Sequence, residues 1–316
     1  MKDVITIGES MITLNPTVKG RLKFTNTFEK KVGGAELNVA IGGSRLGLDT
    51  GWISRLGKDD FGEYIMNFAR GEGVDVSQVG LVEDFPTSLN FKEIRADGTT
   101  KTIYYRHKSP ILTLKAEDLD ESYIKQAKIL HLTGIYPAIH PENIPVMEHA
   151  IDLAKKHGVK VSLDPNIRLR MWSKEEAGPV LRKLLPKVDI LLAGDEEMNI
   201  IMGERDPQKI IAELKDMGIS FIAIKQGDKG SVGYQHGKIV ESPAIKAKKV
   251  VDTVGAGDGF DTGALYGILQ NWPLEKTLRF ANAIGSIVVS VNGDNEGLPS
   301  YEEVLEKLGE KEFIER

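Results

Sequence analysis

Short β-rich apolar runs alternate with stretches of helical periodicity along most of the 316-residue chain. VITI (4–7), GWISRLG (51–57), KILHLTG (128–134), VKVSLD (159–164), DILLA (189–193) and FIAIK (221–225) are the strand candidates. Between them, AELNVAIGGSRLG (35–47) predicts a helix ending near Gly47, and PENIPVMEHAIDLAKKHG (141–158) a second. In the second, Ile144, Met147, Ile151 and Ala154 share a face, with Gly158 at the expected stop. PLEKTLRFANAIGSIVVSVNG (273–293) predicts a third, with Leu274, Leu278, Ala281 and Val288 at helical spacing. Alternation of this kind builds βα units, so the expectation is an α/β fold with a mostly parallel sheet.

Two regions break the rhythm. LNFKEIRADGTTKTIYYR (89–106) is rich in β-formers and carries Asp97-Gly98 near its middle, a hairpin signal. Residues 11–32 lack a helical stripe and read as extended. Together they predict a small β-layer beside the main sheet. Leu89, Phe91, Ile103 and Tyr105 alternate onto one apolar face, which would pair with a second copy of the chain or pack on its own domain.

Composition excludes several classes. Charged residues are 28% and hydrophobic ones 41%, an ordinary globular balance, and the net charge of −5 argues against a nucleic-acid binder. No basic-then-apolar leader pattern and no run of eighteen apolar residues occur, so no membrane partner is expected. Zero cysteines rule out disulfides and thiolate metal sites, and the expectation is a cytoplasmic protein. None of the six histidines has the spacing of a zinc site.

VDTVGAGDGF (251–260) sits where a strand gives way to a helix. A helix N-terminus presents unpaired N–H groups and partial positive charge, and glycines let an anion come close. Asp258 in the first turn suits a general base toward a hydroxyl, and the pairing suits phosphoryl transfer. A glycine-rich turn with Asp as N-terminal cap fits the spacing equally well. No P-loop motif occurs, and no G-x-G-x-x-G follows the first strand, which disfavours a nicotinamide dehydrogenase.

DTVGAGD (252–258) together with GGAELN (33–38) resembles the paired signatures of the ribokinase-like (PfkB) carbohydrate kinases, over nearly the whole chain. That resemblance implies a three-layer αβα sandwich with a mostly parallel central sheet plus a small β-sheet lid. The main nucleotide- and substrate-binding domain would comprise 1–10, 33–86 and 110–316, and the lid 11–32 and 87–109. It implies ATP and Mg²⁺, a monovalent cation near Asp252, and lid closure over substrate. Gly255, Ala256 and Gly257 would form the anion hole and Asp258 the base, with Gly34 and Asn38 on the sugar side. Lys225, Gly227 and Gly230 of IKQGDKG, with Asn166 and Asn282, would contact ATP. Glu197 of LLAGDEEM matches a glutamate that organises Mg²⁺ through water, although Gly194 stands where Asn is typical. Gly259, Asp261 and Thr262 also depart from the usual small or apolar residues, a change expected to touch helix packing and leave the chemistry alone.

Substrate class rests on three further stretches. Tyr104 and Arg106 lie i, i+2 on a strand and point to one face. LDPNIR places Asp164, Asn166 and Arg168 just past a strand end, where open α/β sheets hold ligands. Two arginines suit a carboxylate, hence an acidic sugar. With VNGDNEG (291–297), these stretches resemble the branch of the family acting on 2-keto-3-deoxygluconate. Gly34, Asn90, Tyr104, Arg106, Arg168, Asp258 and Asp294 would then line the sugar-acid site, Asn90 standing where some relatives have Tyr. A fructokinase, ribokinase or 5-dehydro-2-deoxygluconokinase, or a non-catalytic sugar-acid sensor on the same scaffold, are the alternatives.

Overall fold

A computed structural model describes residues 1–97 and 99–311. Its thirteen strands are β1 (Lys2–Ile7), β2 (Met11–Pro16), β3 (Phe28–Gly33), β4 (Thr50–Gly57), β5 (Asp75–Val82), β6 (Leu89–Ile94), β7 (Thr100–Tyr105), β8 (Ala127–Thr133), β9 (Lys160–Asp164), β10 (Ile190–Gly194), β11 (Phe221–Lys225), β12 (Gly230–Gln235) and β13 (Lys238–Pro243). Nine of them form one sheet in the order β13-β12-β11-β10-β9-β8-β1-β4-β5. From β5 to β11 every neighbour is parallel, and β12 and β13 close one end as antiparallel strands.

The parallel strands are apolar on both faces because both are covered by helices. In β10, Leu191 and Ala193 face a core shared with Ile151, Met198 and Ile210, whereas Ile190 and Leu192 face one shared with Val39, Phe260 and Leu278. The helices Ala35–Arg45, Ala256–Leu269 and Leu274–Val288 cover the second of these faces, and Asn143–Lys156 and Asp195–Met202 the first. Three layers result. The helix expected over 273–293 ends earlier, after Val288, and the chain beyond it brings Asp294 to Lys92 of β6. In Asn143–Lys156 the expected face is buried at Met147, Ile151 and Ala154, while Ile144 is only half-buried.

The two irregular segments make a second sheet, in the order β3-β2-β6-β7. β6 and β7 pair antiparallel, and the turn signal at Asp97-Gly98 lies partly outside the described residues, at Gly98. Phe91 packs edge-on against Phe28 and Tyr105, with ring centroids 5.4 and 5.8 Å apart, so the apolar face expected from alternation is an aromatic cluster within this sheet. Among the described residues no helix is long and apolar enough to cross a membrane.

Candidate active site

Two cavities meet at one turn, outside the carboxyl ends of the parallel strands. The first, about 460 Å³, is lined by Gly34, Asn38, Asn90, Tyr104, Arg106, Arg168 and Asp294, the residues expected on the sugar side, and by Glu9, Glu36, Lys92, Arg170, Asp252 and Asp258. The second, about 650 Å³, is lined by Lys225, Gly227, Gly230 and Asn282, with an apolar wall from Ala244, Ile245, Val250, Phe260 and Val289. Val254, Gly255 and Asp258 face the first cavity, Ala256 and Gly257 the second, and Thr253 borders both. The GAGD turn is the partition between them.

Local chemistry explains the partition. Gly255 precedes the helix Ala256–Leu269 with φ of 78°, and a Cβ there would overlap the Asp294 carbonyl oxygen. Only glycine fits. Gly34 is similar, with φ of 150° and the Glu9 carbonyl oxygen where a Cβ would stand, so the glycine pair of 33–34 serves the chain's own packing as well as access to the cavity.

Asp258 is buried in the first turn of its helix. Asn38 Nδ2 donates to its Oδ2 at 2.7 Å, and Asn166 Nδ2 lies 3.4 Å from its Oδ1. Burial pushes its carboxyl up to about 6, against the Asn38 hydrogen bond and the Arg168 charge, which pull it down. A carboxylate titrating there is ionised at neutral pH and still basic enough to take a hydroxyl proton. Asn166, expected beside the nucleotide, lines neither cavity as an ATP contact; its left-handed backbone, φ 37°, turns the amide toward Asp258.

Lys225 lies 3.1 Å from both Asp164 and Asp261. Burial disfavours its ammonium, but the two carboxylates more than offset this and raise its pKa. Burial likewise opposes charge on Asp164, yet Lys225 and Asp261 hold it below the usual range, whereas burial and Asp164 push Asp261 well above. Beside the lysine, Asp164 is therefore favoured in its charged form and Asp261 in its neutral one. Asp261 was expected to touch helix packing alone; it reaches the lysine of the second cavity instead. Glu197 lines neither cavity: its Oε1 accepts the Ile167 N–H at 2.8 Å and its Oε2 the Gly194 N–H at 2.7 Å, which fixes the helix start. Among the described residues no group of three or more His, Asp or Glu is arranged to hold a metal ion.

Arg106 lines the first cavity and is already paired there. Its guanidinium contacts Glu9, a buried carboxylate that also accepts from Ser88 Oγ at 2.7 Å and from Ser109 Oγ. Arg168 is exposed at the mouth, and among the described residues it makes no ion pair. Arg170 donates to the Thr102 carbonyl on β7 at 3.1 Å, tying the loop after β9 to the small sheet across the opening. Sequence reasoning passed over Glu9, Lys92, Glu36 and Arg170. Glu9 was detectable as the second residue past the end of β1, and Lys92 by its alternation with Asn90.

A polar cleft and a roomier apolar one, divided by a helix start that carries a buried base, define an enzyme that moves a phosphoryl group onto a small hydroxylated molecule. The chain belongs to the PfkB family: the model described as "pfkB family carbohydrate kinase" matches residues 1–300, and the chain is a carbohydrate kinase. It is 35% identical to the 2-dehydro-3-deoxygluconokinase of Bacillus subtilis over 99% of this chain and 97% of that one. It is 32% identical to the 5-dehydro-2-deoxygluconokinase of Geobacillus kaustophilus, over 99% and 94%. Among solved structures, the 2-dehydro-3-deoxygluconokinase of Thermotoga maritima superposes with a TM-score of 0.87 at 28% identity, covering 98% of each chain.

Proposed function

We propose that this kinase transfers the terminal phosphoryl group of ATP to the 6-hydroxyl of 2-keto-3-deoxygluconate (2-dehydro-3-deoxy-D-gluconate), giving the 6-phosphate and ADP. The observation that carries the reading is the 253–258 turn, which borders both cavities and aims Asp258 into the first. Asp258 takes the hydroxyl proton as the oxygen attacks the γ-phosphorus. The Gly255–Asp258 amides stabilise the moving phosphoryl oxygens, and Lys225 stands behind the turn on the nucleotide side. Mg²⁺, if brought in with the nucleotide, would offset phosphate charge. A monovalent cation at Asp252 would have to compete with Lys92, whose ammonium lies 3.3 Å from that carboxylate.

The sugar enters the first cavity. Arg168 and Arg170 at its mouth suit the substrate carboxylate, while Glu9 holds Arg106 and orients it along the wall. The small sheet, with Asn90, Lys92 and Tyr104 on the cavity, serves as the lid, so 11–32 and 87–109 form the moving part.

A second reading is 5-dehydro-2-deoxygluconate, which relatives of 32% and 33% identity favour and whose carboxylate the same arginines would meet. Coupled ADP release across 2-keto-3-deoxygluconate, 5-dehydro-2-deoxygluconate, fructose and ribose separates them. The highest kcat/KM belongs to 2-keto-3-deoxygluconate on this reading; a neutral sugar in first place overturns the choice of an acid.

A further inference from the structure

Lys92 is a buried cation that the reaction scheme above does not use. It lies on β6, on the face it shares with Asn90, and its side chain is 5% exposed. Its Nζ stands 3.3 Å from an Asp252 oxygen and 3.2 Å from an Asp294 oxygen. Those two carboxylates belong to the two segments that shape the partition. The other oxygen of Asp252 accepts the Val254 N–H at 3.1 Å, which turns the chain into Gly255. The Asp294 carbonyl occupies the space that the missing side chain of Gly255 leaves open. A single ammonium on the small sheet therefore grips both sides of the GAGD turn.

Stability alone gives no reason for an ammonium at this place. Taking a lysine and two carboxylates out of water is costly, and an apolar side chain of similar length usually does as well or better. The charge is explained if the position of the two loops matters.

We propose that Lys92 is a positioning residue for phosphoryl transfer. Seated with the small sheet, it fixes 252–254 against 292–294 and so sets the direction of the Gly255–Asp258 amides. Lifting the sheet breaks both ion pairs, so the anion hole is in order only when the sheet is down over the sugar. The proposal rests on reading that turn as the anion hole.

The test compares wild type with Lys92→Met, Lys92→Arg and the double variant Lys92→Met/Asp252→Asn, using whichever sugar of the panel the wild type phosphorylates fastest. A wrong substrate assignment then shows as a different fastest sugar and leaves the comparison intact, whereas normal turnover in Asp258→Asn shows that the 255–258 turn is not where transfer occurs. Lys92→Met is expected to lower kcat by about 10- to 100-fold, with both KM values within about threefold of wild type. Lys92→Arg should recover most of the loss, and amide exchange should quicken in 251–258 but not in Asn143–Lys156. The double variant should regain thermal stability without regaining kcat. Unchanged kcat in Lys92→Met, a rise in KM alone, arginine no better than methionine, or full kcat in the double variant would each overturn it. If Lys92→Met does not fold, the arginine and double variants decide.

Discussion

The side-chain amide of Asn38 donates to the carboxylate of Asp258 at 2.7 Å, across 220 residues of sequence. That bond works against burial, which pushes the same carboxyl up to about 6. The ionised form is the one that accepts a proton, so kcat/KM should fall as pH drops through about 6. Removing a donor that favours the charged form raises the pKa, so Asn38→Ala should move this acid limb upward by roughly one pH unit. A pH–rate profile of both proteins checks it, and an unmoved limb would separate Asn38 from the base.

The two arginines of the sugar side are not equivalent. Glu9 already neutralises Arg106, while Arg168 stands at the mouth. Losing a charge-assisted contact costs about 1.5–3 kcal/mol, or roughly 10- to 150-fold. Arg168→Ala should raise KM for the sugar acid by that order. Arg106→Ala should raise it less and also leave Glu9 unpaired, lowering thermal stability. Steady-state kinetics with melting curves reads both, and unchanged KM in both variants ends the carboxylate argument.

Lys225 should matter to the fold as well as to the nucleotide. It is the cation between Asp164 and Asp261, both buried. Breaking such a group by removing one partner costs about 3–5 kcal/mol. Lys225→Met should therefore shift the urea midpoint well below wild type and raise KM for ATP. An unshifted midpoint would mean that the triad adds nothing to stability.

His131 predicts how stability depends on pH. Burial lowers its pKa to about 4, with Asp164 working the other way, so the folded chain keeps it neutral through mild acid. The unfolded chain protonates its histidines near 6.5, so the unfolded state gains protons first and stability drops as pH falls from about 6.5 toward 4. The loss from this residue is at most roughly 3 kcal/mol. His131→Asn should flatten that limb in urea titrations at pH 7, 6 and 5, and an equally steep limb in the variant removes His131 as its cause.

Strands such as β10 and β11 were legible because parallel strands between two helix layers are apolar on both faces, which leaves an unbroken apolar run in the sequence. The GAGD turn was legible because a backbone that must approach an anion needs glycine. The β12–β13 hairpin was not, since β12 carries two glycines and a serine in place of an apolar run, and the edge strand β13 faces water at Lys238 and Glu241. Side-chain partnerships were the other blind spot. Spacing showed that Tyr104 and Arg106 share a face, but not that Glu9, almost a hundred positions earlier, would claim the guanidinium. Asp261 read as a packing oddity because its partner Lys225 lies on a different element.

The most direct measurement is turnover by Asp258→Asn with ATP, Mg²⁺ and 2-keto-3-deoxygluconate, alongside binding of both substrates. The substitution is nearly isosteric and keeps a polar group beside Asn38, so the fold and both binding constants should hold. Loss of a general base should lower kcat by about 10²- to 10⁴-fold. Turnover close to wild type, with binding intact, would contradict the assignment of Asp258 as the group that takes the proton.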